Sequence, residues 1–144
     1  MICANIHSIK SSFVKTEKRV PAILGCIASV FRYFGHNFPL HEKYDPISFG
    51  KNELSLYAIM KTARNEGFSA EGYEGDISFL KEFYKPVILP VEKKTGYDHF
   101  FVLYGWCRDK FIIGDPHWSI VEYRQDELDA LWVSKSFLLV RPND

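Results

Sequence analysis

The chain has 144 residues, 47% hydrophobic and 25% charged, with 18 basic against 18 acidic side chains. That length fits one domain over 1–144 with a sizeable core, and the charge balance excludes nucleic acid as the expected partner, since a polyanion needs surplus Lys and Arg. Cys3, Cys26 and Cys107 have neither framework nor metal-ligand spacing, which excludes a secreted disulfide scaffold and predicts a reducing, cytoplasmic setting.

The N-terminus lacks the basic start and apolar run of a signal peptide. The most apolar stretch, Val20 to Phe31, is too short to span a bilayer. Residues 1–20 show no clear period. Their basic run, Lys10 to Arg19, reads first as a solvated arm and second as a docking surface. Pro21 opens a helix, as proline does at a first helical position. Ile23, Cys26, Ile27, Val30 and Phe34 follow at helical spacing, and Gly35 closes it. With only Ser29 and Arg32 as polar relief, this helix should be buried. Residues 36–51 read as loop. A second helix is predicted from Glu53 to Glu66, with Leu56, Ile59, Met60 and Ala63 on one face and Gly67 after it. Phe68 to Tyr73 alternates as a strand does. Asp76 is placed to cap a short helix carrying Phe79, Leu80 and Phe83.

From Pro86 the pattern turns to strands. Val87-Ile88-Leu89 is a buried run. Residues 98–106 are apolar on both faces, which fits a central strand, and residues 110–115 form the next, across a hairpin-sized turn at Cys107-Arg108-Asp109. A short strand near Ile120 to Tyr123, a helical turn from Gln125 to Leu131 and a last strand from Ser136 to Arg141 complete an α+β layout, N-terminal helices packed on an antiparallel sheet.

The chemistry-bearing pair is His99 and Asp115. His99 starts one strand and Asp115 ends the next, so antiparallel pairing brings them together. A carboxylate beside an imidazole fixes its tautomer and stabilises its charged form. A structural histidine and an Asp-Pro turn are the blander reading of the same residues. A thiolate partner would sit best at a helix N-terminus, yet the helix after Pro21 begins with Ala22 and Ile23. Cys26, one turn deeper in an apolar helix, is expected to be inert. Cys107 lies at the far end of the strand from His99, roughly 25 Å away at ~3.3 Å per residue. Cys3 lies in the unpatterned arm. The five histidines, His7, His36, His41, His99 and His117, show no metal-ligand spacing, and no phosphate-binding Gly-rich loop is present. No metal or organic cofactor is expected.

In order and spacing, these blocks resemble the bacteriocin-processing cysteine peptidases of the papain-like clan, which cut leader peptides after a double glycine and usually form the N-terminal domain of ABC exporters. The similar segments are Arg32-Tyr33-Phe34-Gly35, LYAIMKTARNEGFSAEGYEGD, KPVILPV, DHFFVLYG, FIIGDP and LWVSKSFLLVRP, together about residues 13–142. The resemblance implies a papain-like fold. It implies a catalytic His at His99 and Asp at Asp115, a nucleophile position at Ala22 and an oxyanion Gln position at Thr16. It departs from the family where the chemistry starts: Ala22 replaces the Cys, Ile23 the following Gly, and Thr16 the Gln whose amide stabilises the oxyanion.

A degenerate domain that binds leader peptide or secreted cargo without cutting explains all three departures at once. A Cys-to-Ala trap of an active double-glycine protease explains only residue 22. A third possibility is a structural exporter domain with no peptide site. The resemblance places the chain at the cytoplasmic face of the bacterial inner membrane, beside an exporter's membrane and ATPase domains. It also implies a groove for a helical leader, for which Phe31 to Phe38 and Tyr57 are the aromatic anchors considered.

Overall fold

The computed structural model describes residues 6–37, 56–92 and 99–143. The period-free N-terminus begins with a short helix, α1 (Ile6–Ser12), which sequence periodicity does not reveal because only Ile9 and Ser12 of its seven residues are buried. The basic run is therefore more than a solvated arm. Its lysines reach solvent, but Val14 N–H donates to Ser29 Oγ at 2.8 Å and Thr16 N–H donates to Pro116 O at 2.7 Å, fixing the backbone to the core.

The buried helix is α2 (Ala22–Tyr33), with every residue from Ala22 to Phe31 out of solvent. Pro21 sits one place before it, at the N-cap, in extended geometry; a proline there cannot lengthen the helix backwards. Gly35 ends the helix at φ +83°, the left-handed conformation that glycine adopts without penalty. Then come α3 (Leu56–Asn65) and β1 (Phe68–Glu74). The predicted start of α3 at Glu53 and the loop reading of 38–51 lie outside the described residues. In α4 (Ile77–Leu80), Asp76 Oδ1 accepts from Phe79 N–H at 2.8 Å, the expected cap.

The sheet contains β1, β2 (Val87–Val91), β3 (His99–Cys107), β4 (Lys110–Gly114), β5 (Ile120–Tyr123) and β6 (Ser136–Pro142), in the order β1-β6-β2-β3-β4-β5. Every pairing is antiparallel. The predicted helical turn is α5 (Gln125–Leu131). The turn between β3 and β4 is held by Arg108 and Asp109, both at positive φ (53° and 65°), as a two-residue hairpin matched to strand twist demands.

β3 is apolar on both faces because each face has a cover. Val102 and Tyr104, with Ile88, Ile112, Leu138 and Val140, pack under α2. Phe101 and Leu103, with Leu89, Phe111, Ile113 and Phe137, pack against Leu128 and Trp132 at α5. Trp132 is fully buried and donates its indole N–H to Ser136 O at 2.7 Å, so its polar edge is satisfied inside the core. Among the described residues no helix is long and apolar enough to cross a membrane. Cys26 is a free buried thiol, whereas Cys107 is disulfide-bonded. A disulfide at Cys107 departs from the free thiols that a reducing setting implies, since an odd cysteine count says nothing of a single pair. Cys3 lies outside the described residues.

Candidate functional site

His99 opens β3 and Asp115 directly follows β4, so both lie at the same end of the β3–β4 hairpin. Val102 faces Gly114 across the ladder, and one further step places Phe101 opposite Asp115. His99, the first residue of β3, overhangs the turn that follows β4. This turn, Asp115-Pro116-His117-Trp118, closes on itself. Asp115 N–H donates to Ser119 O and Asp115 O accepts from Trp118 N–H, both at 2.9 Å. Asp115 Oδ1 accepts from His117 N–H at 3.1 Å. Asp115 is only 3% exposed, and a carboxylate so buried needs such donors. Its side chain therefore serves the turn whatever else it does.

The turn also meets the start of α2. His117 Nε2 lies 2.6 Å from Val20 O; a carbonyl oxygen only accepts, so Nε2 carries the proton in this contact. The rings of His99 and His117 meet edge to face with centroids 6.0 Å apart. Thr16 comes in through its backbone bond to Pro116 O. Gly25 allows the close approach: a Cβ there would stand 2.6 Å from Pro116 Cβ and 3.2 Å from Thr16 Cγ2. Thus His99, the Asp115–His117 turn, Thr16 and the segment Val20-Pro21-Ala22 share one corner of the fold.

Ala22 opens α2 and is 2% exposed. Pro21 makes no side-chain cap and Leu24 N–H donates back to Pro21 O at 3.0 Å, so among the described residues the N–H groups of Ala22 and Ile23 and the positive end of the helix dipole are left for whatever occupies the corner. That is where an anionic or oxyanionic group would be stabilised. Pro21, Ala22 and Ile23 bring no nucleophile to it. Thr16 Oγ1 is buried and has no hydrogen-bond partner among the described residues; it is too short to replace the reach of a glutamine amide. Cys26 cannot substitute for a thiol at 22: it is fully buried, and burial first, then the negative charge of Asp115, pushes its ionisation well above the ordinary thiol range. Behind it, burial also pushes up the Tyr104 hydroxyl. That hydroxyl is close enough to Ser29 to feel it, but has no partner in hydrogen-bond geometry among the described residues.

Sequence reasoning missed two members of this corner. His117 was judged only for metal spacing, although its place two residues after Asp115 is the signal that matters. Gly25 was overlooked as a break in an otherwise large-residue helix. Of the suggested aromatic anchors, Phe31 is corrected: it is fully buried and stacked on Phe68 at 4.2 Å. Tyr33 and Phe34 are half-buried, and Phe38 and the Tyr57 side chain lie outside the described residues.

A model of the Peptidase C39 family matches residues 10–144. The chain belongs to this family. The matched span extends slightly beyond the 13–142 expected from the motifs. Among curated proteins, the pediocin PA-1 transport/processing ATP-binding protein PedD of Pediococcus acidilactici is 25% identical over 95 residues. The match takes in 65% of this chain and 13% of that protein, so this C39 chain spans only a small part of its relative's length. Among solved structures, the peptidase domain of Streptococcus ComA, a bi-functional ABC transporter involved in quorum sensing, superposes with a TM-score of 0.79 at 20% identity, covering 90% of this chain and 97% of that one. A double glycine motif protease from an AMS/PCAT transporter, solved in complex with a leader peptide, gives 0.73 at 24% identity and 90% coverage of both. These likenesses establish the C39 peptidase fold, helices against an antiparallel sheet.

Proposed function

We propose that residues 1–144 form a single peptidase-like domain of a bacteriocin or type 1 secretion ABC exporter, holding a leader peptide or secreted cargo without cutting it. The observation that carries this reading is Ala22 at the uncapped start of α2, in the same corner as His99, Asp115 and His117. A thiol protease needs a sulfur there for a covalent intermediate; a binding domain needs only the helix N-terminus and the walls. In this reading Asp115 fixes the turn and His99 shapes the cleft, with the two kept as scaffold rather than as acid and base. Thr16 at the oxyanion Gln position and Ile23 at the Gly position support loss of chemistry over a single replacement at 22. The partners are the peptide and the membrane and ATPase domains of the exporter, at the cytoplasmic face of the bacterial inner membrane; the PedD and leader-complex relatives support that setting.

Fluorescence anisotropy of a labelled leader peptide ending in Gly-Gly tests the reading. Saturable binding is expected. Absence of binding at high micromolar protein would leave a structural domain and defeat it.

A further inference from the structure

A second feature lies next to this corner. A cleft of about 780 Å³ opens beside the site, lined by Ile6, Lys10, Phe13, Lys15, Trp118 and Ile120. It is continuous with the site through the backbone. Lys15 precedes Thr16, which is bonded to Pro116, and Trp118 follows His117. Trp118 is 65% exposed, a large apolar surface left in water at the junction.

The cleft runs along β5, which ends the sheet, with no strand beyond it among the described residues. Asp115 and Ser119 form a hydrogen-bonded step of the hairpin, and antiparallel steps alternate. Val121 and Tyr123 therefore bond inward to Ile113 and Phe111 across the ladder, while the backbone N–H and C=O groups of Ile120 and Glu122 turn outward. Among the described residues the Ile120 carbonyl accepts from the hydroxyl of its neighbour Ser119, at 3.3 Å. An outward row of donors and acceptors is a template for an added strand. The charge of the walls is lopsided. Lys10 and Lys15 are exposed and make no ion pair among the described residues, and Glu122 is the only acidic residue among those lining the cleft.

We infer that this cleft takes an extended, acidic polypeptide segment that runs on past the site, pairing with the free edge of β5 and laying apolar side chains on Trp118, Phe13 and Ile120. The inference rests on the reading that the site holds a peptide. It assigns to the cleft the portion of that peptide beyond the double glycine, with Lys10 and Lys15 selecting acidic side chains. Charge pairs at such a rim mainly set specificity and encounter rate.

The test compares three peptides on the whole chain by anisotropy: a leader ending in Gly-Gly, the same leader continued by several residues that include two glutamates, and a continuation with two lysines. The acidic continuation should bind about tenfold tighter than the bare leader, or ~1.4 kcal/mol, and the basic one no tighter. Lys10→Glu with Lys15→Glu should abolish the gain and leave the bare leader's affinity unchanged; both positions are exposed, and circular dichroism checks the fold. Equal affinity for all three peptides, or a gain that survives the charge reversal, overturns the cleft assignment while leaving the leader reading intact. Failure of every peptide to bind overturns both.

Discussion

Gly25→Ala separates packing from propensity at the corner where the site is built. In an exposed helix interior this change stabilises by about 0.8–1.0 kcal/mol, because alanine restricts the unfolded backbone. Here the added Cβ would stand 2.6 Å from Pro116 Cβ, 3.2 Å from Pro116 Cγ and 3.2 Å from Thr16 Cγ2. A proline ring cannot rotate away as a flexible side chain would, so either α2 or the Asp115–His117 turn must move. Overpacking of a filled core costs about 1–3 kcal/mol. The two effects oppose and leave a net loss of roughly 0–2 kcal/mol, and a 2.6 Å contact with a ring that cannot swing away puts Gly25→Ala toward the upper end. Urea denaturation should show a lower midpoint with an unchanged slope, since the surface exposed on unfolding is the same. Peptide affinity should fall alongside, because the displaced turn carries Asp115 and His117. A Gly25→Ala variant as stable as the parent, or more so, would refute the claim that α2 and the turn are in hard contact.

Stability should decline above about pH 9. The Cys26 thiol stays neutral in the folded chain, with its ionisation pushed well above the ordinary 9.0, while the unfolded thiol ionises near that value. The folded state then binds the extra proton, so its stabilising share is complete below the unfolded value and shrinks as pH rises, by ~1.4 kcal/mol per unit for one proton. Urea midpoints of the parent and of Cys26→Ala between pH 8 and 10 (~1 kcal/mol resolution) should show a shallower fall in the variant; parallel curves would exclude Cys26 as the source. Trp132→Phe should cost about 1–3 kcal/mol by leaving the half-buried Ser136 O without its 2.7 Å donor, read by the same denaturation; a loss within error would contradict the packing described for α5. Ala22→Cys should give a thiol alkylated by iodoacetamide with a midpoint below ~8.5, as the helix N-terminus favours the thiolate, yet no cleavage after Gly-Gly, because Thr16 supplies no amide to the oxyanion. Efficient cleavage by this single variant would favour a trap of an active enzyme.

The order of elements was legible because each has its own signature: the apolar run of α2, the two-faced apolar run of β3, the Asp76 cap and the hairpin turn at Arg108-Asp109. α1 was not, since a helix with two buried residues in seven has no period to detect. The pairing of β6 with both β1 and β2 was equally hidden, because strand order depends on contacts distant in sequence. At the site, His99 and Asp115 could be seen because they mark the ends of adjacent strands. His117 and Gly25 matter through a close approach between α2 and a turn some ninety residues later, which no local pattern records. The disulfide at Cys107 was missed for the same reason.

Binding without cutting can be read from one incubation. The chain is mixed with an excess of a complete double-glycine precursor peptide, held at working temperature, and passed over a gel-filtration column, and the bound fraction is weighed by mass spectrometry. Intact precursor should co-elute with the protein. Precursor split after Gly-Gly, or protein eluting with no peptide, would contradict it.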